Sequence, residues 1–114
     1  MTRFANGAPL RSYRVTDFGD LAEAMAHDDL IVLDVRQQGE YEDGHVAGAI
    51  NIPLHELADR TSEVPAGEVW VHCGSGYRAS IAASILDRHD RTVVLIDDMF
   101  GHAGKLGLTT QARA

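Results

Sequence analysis

One cysteine, Cys73, stands in the run Val69-Trp-Val-His-Cys73-Gly-Ser-Gly-Tyr-Arg78-Ala-Ser80. A short apolar strand there delivers a thiol into a loop with two glycines, an arginine follows at Arg78, and the next residues read as a helix. A thiol so placed faces backbone N–H groups, the positive end of a helix macrodipole and a guanidinium. All three favour a sulfur anion over a neutral thiol. Gly74 and Gly76 permit positive φ and close backbone approach, so the loop can turn its N–H groups inward as an anion-binding nest. Ser75 adds a hydroxyl donor, and Arg78 is placed either to fasten the loop or to face an incoming anion. The bland account of Cys73 is a small hydrophobe at the end of a core strand. It leaves the two glycines and the arginine unexplained.

Loop length separates two anion chemistries. Four residues, Gly74-Ser75-Gly76-Tyr77, lie between Cys73 and Arg78. Cysteine phosphatases close a longer loop around phosphate. The smaller ring suits a sulfur atom attached to the cysteine better than a tetrahedral phosphate beside it.

Three apolar runs, Leu30–Val35, Val69–Val71 and Thr92–Ile96, must position this loop. They are short, rich in β-branched residues and continuous, as strands buried on both faces of a parallel sheet are. Weaker strands are expected at Tyr13–Val15 and Ala49–Ile52. Helices are expected from about Asp17 to His27 with Thr16 as N-cap, at Glu40–Asp43, at Leu54–Ala58, and from Tyr77 to His89 with Ile81, Ala82, Ile85 and Leu86 inward. The positions Met99, Phe100, Ala103 and Leu106 suggest a last helix, weakened by glycines 101, 104 and 107. Alternating strands and helices imply an α/β domain with a central, mostly parallel sheet flanked by helices on both faces. Ligands of such sheets bind at the carboxyl ends of strands, where both Cys73 and the pair Asp34 and Arg36 fall. Residues 1–10 are expected to be loose and 11–114 to form one domain.

A net charge of −7 gives no footprint for nucleic acid or an anionic membrane. One cysteine allows no internal disulfide, no apolar run approaches the roughly 20 residues of a membrane span, and the N-terminus lacks the apolar core of a signal peptide. A cytoplasmic home is the expectation. The histidines and the cysteine show no metal-ligand spacing, so neither metal nor cofactor is expected.

The chain resembles a single-domain rhodanese. The resemblance rests on Leu33-Asp-Val-Arg36, Glu40-Tyr41, Gly44-His-Val-Ala-Gly-Ala-Ile-Asn-Ile-Pro53 and the Cys73–Arg78 loop followed by Ala79-Ser80, in the family's order across about residues 12–108. It implies a three-layer rhodanese-like fold and a ping-pong sulfurtransferase. Cys73 would take the outer sulfur of thiosulfate or a persulfide and pass it to cyanide, a thiol or a thioredoxin-like acceptor. Residues Gly74, Ser75, Gly76, Tyr77 and Arg78 would form the persulfide-binding loop. Asp34 and Arg36 either shape the entrance or form a salt bridge. His45 is expected to make a structural hydrogen bond, His72 to point away from Cys73, and Tyr77 either to edge the loop mouth or to pack on the surface. The family's Gly-Gly turn and tryptophan after the last strand are replaced by Asp98-Met99 and Ala103. The competing reading is a sulfur carrier or interaction module without efficient turnover. A small phosphatase is disfavoured by loop length, and arsenate reduction is a remote fourth.

Overall fold

The computed structural model describes residues 13–111; the expectation for residues 1–10 lies outside them. In chain order the elements are β1 (Arg14–Thr16), α1 (Phe18–Met25), β2 (Ile31–Asp34), α2 (Gln38–Asp43), β3 (His45–Val46), β4 (Ile50–Asn51), α3 (Leu54–Arg60), β5 (Glu68–His72), α4 (Tyr77–Arg88), β6 (Thr92–Ile96), α5 (Phe100–Lys105) and β7 (Thr109–Thr110). A 3-10 turn, Thr61–Glu63, follows α3. The main sheet runs β1-β6-β5-β2-β4, every neighbouring pair parallel.

The three apolar runs are its central strands β2, β5 and β6, because strands covered on both faces must be apolar throughout. Their side chains alternate between two cores. Leu33, Val69, Val71, Val93 and Leu95 pack with Leu57 of α3 and Ala79, Ala82, Ala83 and Leu86 of α4. Val32, Trp70, Val94 and Ile96 pack with Phe18 and Leu21 of α1 and Ala103 of α5. This is the three-layer arrangement anticipated from the sequence. Among the described residues no helix is long and apolar enough to cross a membrane.

Several local expectations need correction. Thr16 ends β1, and the N-cap of α1 is Asp17, whose carboxylate accepts the Asp20 N–H at 2.9 Å. The Thr16 hydroxyl instead donates to the Asp20 carboxylate. Ile81 does not face inward: it is 39% exposed, and three alanines and Leu86 supply the buried face of α4. Small residues there let the helix lie close to the sheet. The antiparallel pair β3–β7, His45 to Thr110 and Val46 to Thr109, had no counterpart in the sequence reading.

Candidate active site: the Cys73 loop

Strand β5 ends at His72, so Cys73 is the first residue beyond the carboxyl edge of the sheet. The chain then turns through Gly76, which has φ 101°, and enters α4 at Tyr77. The Cys73 side chain points back under this turn. Its Sγ accepts the backbone N–H of Gly76 at 3.1 Å and that of Ala79 at 3.2 Å. Ala79 is the third residue of α4, whose N–H has no carbonyl partner within the helix. The sulfur therefore takes the place that a serine or aspartate oxygen takes at an ordinary helix start. Negative charge on Sγ is favoured by both donors and by the helix dipole. Cys73 is also buried, at 1% exposure, and belongs to the core beneath α3 and α4. The sulfur is thus at once a core atom and the acceptor of two N–H groups at a helix start.

The other loop residues divide by role. A side chain at Gly76 is disfavoured twice, by its φ of 101° and by Oδ1 of Asp97, which would lie 2.1 Å from a Cβ there. Gly74 accepts the Phe100 N–H through its carbonyl at 2.8 Å, fastening the β6–α5 turn to the loop. Ser75 and Tyr77 are exposed at the mouth, and Tyr77 is 74% open to solvent. Arg78 fastens: its guanidinium donates to both carboxylate oxygens of Glu40 on α2, at 2.7 and 3.1 Å. That hydrogen-bonded pair holds Glu40 below its usual carboxylate value and raises Arg78 further above its own.

Asp34 and Arg36 form a salt bridge. The Arg36 Nε and Nη2 donate to the Asp34 carboxylate at 3.0 and 2.8 Å, and Nη2 also reaches the Gly44 carbonyl at 2.6 Å. Both residues are buried. The Arg36 guanidinium carbon stands 3.8 Å from the centre of the Phe100 ring. His45 makes a structural bond, Nδ1 donating to the Tyr41 carbonyl at 2.8 Å, with its ring stacked on Tyr41.

His72 points to the opposite face of the sheet from Cys73, where it packs against Phe18 and Phe100. Its Nδ1 donates to the Cys73 carbonyl at 3.3 Å, while Nε2 has no hydrogen-bond partner among the described residues. Asp34 lies 3.8 Å from Nε2, too far for a hydrogen bond. Burial pushes the His72 imidazole below its ordinary value, outweighing the Asp34 charge.

Sequence reasoning missed Ala79, Glu40, Asp97 and Phe100 as parts of this site. Ala79 contributes through its backbone, which side-chain type does not advertise. Glu40 lies 38 residues from Arg78, beyond the reach of any local pattern. Asp98, at the position where the resemblance places a glycine, accepts the N–H groups of Phe18 and Met99 at 3.0 and 2.8 Å and pairs with His102. Burial pushes its carboxyl up, but these bonds prevail and hold it below the usual range. A groove of about 590 Å³ between α2 and α3, lined by Gln37, Tyr41, Asn51, His55 and Arg60, includes no residue of the Cys73 loop.

The family model for the rhodanese-like domain matches residues 17–106 of the chain. The chain belongs to the rhodanese family. It is 40% identical over 65 residues to thiosulfate sulfurtransferase PspE of Escherichia coli K12, covering 54% of this chain and 62% of that protein. It is 38% identical over 60 residues to the putative sulfur carrier protein YrkF of Bacillus subtilis 168, covering 52% of this chain and 32% of that one. The chain spans 51% or less of the length of the first curated relatives it matches. A rhodanese-related protein from Thermoplasma volcanium, known from its crystal structure, has a TM-score of 0.77 and 27% identity over 86% of this chain and 98% of that one. The rhodanese fold is therefore shared along with the local motifs.

Proposed function

We propose that this rhodanese is a sulfurtransferase working through a Cys73 persulfide, with residues 11–114 acting as one domain. The observation that carries the reading is the pair of backbone N–H groups, from Gly76 and Ala79, converging on Sγ. They are fixed before reaction, so they stabilise a sulfur anion without reorganisation. In the first half-reaction the Cys73 thiolate attacks the outer sulfur of thiosulfate or a persulfide. A new S–S bond forms to Sγ as the donor's bond to that sulfur breaks, and the electron pair leaves with sulfite or a thiol. In the second half an acceptor such as cyanide, a thiol or a thioredoxin-like protein attacks the outer sulfur and releases the Cys73 thiolate. Gly74, Ser75, Gly76, Tyr77 and Arg78 form the loop around that outer sulfur, and Asp34, Arg36 and His45 support its frame. The chemistry calls for neither a metal nor an organic cofactor. A reducing compartment such as the cytoplasm suits the free thiol.

The test is intact-protein mass after incubation with a sulfur donor and again after cyanide, with Cys73→Ala in parallel. Gain of one sulfur that cyanide removes, and that the variant never gains, is the expected result. A freshly reduced thiol that gains nothing from any sulfane donor overturns the proposal. The burial of Cys73 favours one second reading, a carrier that holds sulfur and releases it only to a protein partner. Loading without discharge to cyanide would select that reading.

A further inference from the structure

The N–H groups of Gly76 and Ala79 account for negative charge on Sγ itself. After sulfur transfer the charge resides on the outer sulfur, about 2 Å from Sγ. A donor for that atom has to come from another peptide of the loop. The Gly74 carbonyl accepts the Phe100 N–H at 2.8 Å, so it points toward the β6–α5 turn. The peptide bonds of the described residues are all trans. Across a trans peptide the C=O and the following N–H point in opposite directions. The bond from Phe100 therefore directs the Ser75 N–H away from α5.

Phe100 can orient this peptide because it is itself fixed, through its ring and through the turn before it. The Arg36 guanidinium carbon lies 3.8 Å from the ring centre, and His72 stacks with the ring at 5.6 Å and 15° between planes. Phe18 meets the ring edge-on at 6.2 Å and 81°. A guanidinium over an aromatic face adds a directional attraction to the packing. Arg36 is in turn fastened to the buried Asp34. In the turn, Asp98 accepts the N–H groups of Phe18 and Met99. Asp98 and Met99 are two of the positions at which the sequence departs from the rhodanese resemblance. The departure thus falls on the segment that fixes Phe100.

We propose that Phe100 is a positioning residue for sulfur transfer. Its N–H, fixed by the ring contacts with Arg36 and His72, turns the Gly74–Ser75 peptide so that the Ser75 N–H faces the outer sulfur of the Cys73 persulfide. This rests on the sulfurtransferase reading and deepens it. Asp34 and Arg36 then serve the reaction by holding the ring, without touching sulfur. The thiolate keeps its own donors, Gly76 and Ala79, whichever way the Gly74–Ser75 peptide is turned. The two sulfurs depend on different peptides, and that separates them experimentally.

Cys73, the only cysteine of the chain, is a ligation point at which residues 73–114 can be joined as a synthetic peptide. Phe100→phenyllactate in that peptide replaces the N–H by an ester oxygen and keeps the ring. Loading is read by intact mass, from thiosulfate or glutathione persulfide, whichever loads the wild type faster. It is expected to fall about tenfold in the ester protein, the factor that one hydrogen bond to an anion supplies. Alkylation of the Cys73 thiol by iodoacetamide should stay within about twofold, because the donors to Sγ remain. Phe100→Leu, which keeps the N–H but loses the ring, should load more slowly than Phe100→Tyr, which keeps both. An ester protein that loads at the wild-type rate overturns the proposal. So does a loss of alkylation as large as the loss of loading, the mark of a loop merely disordered. If the ester protein does not fold, the Leu and Tyr variants decide, and equal loading by the two overturns the proposal. A wild-type thiol that alkylates but loads from neither donor overturns the sulfurtransferase reading itself and is told apart by that outcome.

Discussion

Gly76 and Asp97 occupy adjoining loops so closely that the glycine's missing side chain is filled by the aspartate: a Cβ on Gly76 would stand 2.1 Å from Oδ1 and 3.2 Å from Cγ of Asp97. The same glycine has φ 101° and gives its N–H to Cys73 Sγ. Backbone conformation, loop packing and the sulfur's hydrogen bond thus meet at one residue. Gly76→Ala is expected to cost about 2–4 kcal/mol, combining a strained φ with the clash. It should also slow Cys73 loading as the N–H is displaced. Adding Asp97→Ala should recover the clash but not the strained φ. Urea denaturation of the three proteins checks this, and full recovery in the double variant would refute the backbone part.

The central strands, their parallel arrangement and the Cys73 loop were all readable from the sequence, because continuous apolar runs and a Gly-flanked cysteine are local signals. What escaped was either non-local or carried by small residues. Periodicity counted Ile81 as core because it is apolar. The close approach of α4 to the sheet instead favoured Ala79, Ala82 and Ala83 and left Ile81 outward. The β3–β7 pair has two residues per strand, too few to show alternation, and joins segments more than sixty residues apart. Thr16 is a plausible cap by type, but Asp17 has the extended φ and ψ that an N-cap needs, and its carboxylate reaches the Asp20 N–H.

Helix α5 offers a pair of opposite predictions. Ala103 is fully buried against the core that includes Phe18, Leu21 and Ile96, at the position where the resemblance to rhodaneses placed a tryptophan. Restoring the larger ring with Ala103→Trp should destabilise by about 1–3 kcal/mol, because the surrounding side chains already fill the space. Gly101 lies on the exposed side of the same helix, and a Cβ there meets nothing within 4 Å. Gly101→Ala should therefore stabilise by about 0.5–1 kcal/mol through helix propensity. Thermal unfolding of both variants reads the two signs directly.

His72 predicts an acid-sensitive stability. Its imidazole is lowered by burial, with Nε2 unpartnered and Asp34 only 3.8 Å away. In the unfolded chain the ring takes up a proton near its ordinary value of 6.5, while the folded chain resists it. The unfolded state then binds more protons, so stability is lost as pH falls from about 6.5 toward the depressed folded value. Above 6.5 the ring is neutral in both states and imposes no such slope. His72→Phe keeps an aromatic ring between Phe18 and Phe100 and should flatten this part of the pH–stability curve. It gives up the bond to the Cys73 carbonyl, so at pH 8 it should be less stable by about 1 kcal/mol. Guanidinium unfolding from pH 5 to 8 tests both statements, and an undiminished slope in the variant would assign the effect to other groups.

The Glu40–Arg78 pair works with the opposite type of group. Its hydrogen bond from Arg78 holds the Glu40 carboxyl below its ordinary value of 4.5. For an acid depressed in the folded state, the stabilisation is complete above the unfolded value and disappears as pH falls through the folded one. The pair is therefore intact at neutral pH and is lost only below about 4.5. The side chains of Arg78 and Glu40 are 31% and 40% exposed, so solvent screening limits the pair to about 0.5 kcal/mol of stability. Its larger consequence is local, because Arg78 is the second residue of the helix whose start holds Sγ. Glu40→Gln should change the midpoint of denaturation only slightly at pH 7, yet raise hydrogen exchange at the Gly76 and Ala79 amides, the two that bond Sγ. In the wild type the same rise should appear as pH falls below 4.5, after correction for the intrinsic pH dependence of exchange. Exchange at those amides that ignores both the substitution and the pH would show that α4 and the Phe100–Gly74 bond fix the loop without the Glu40 clamp.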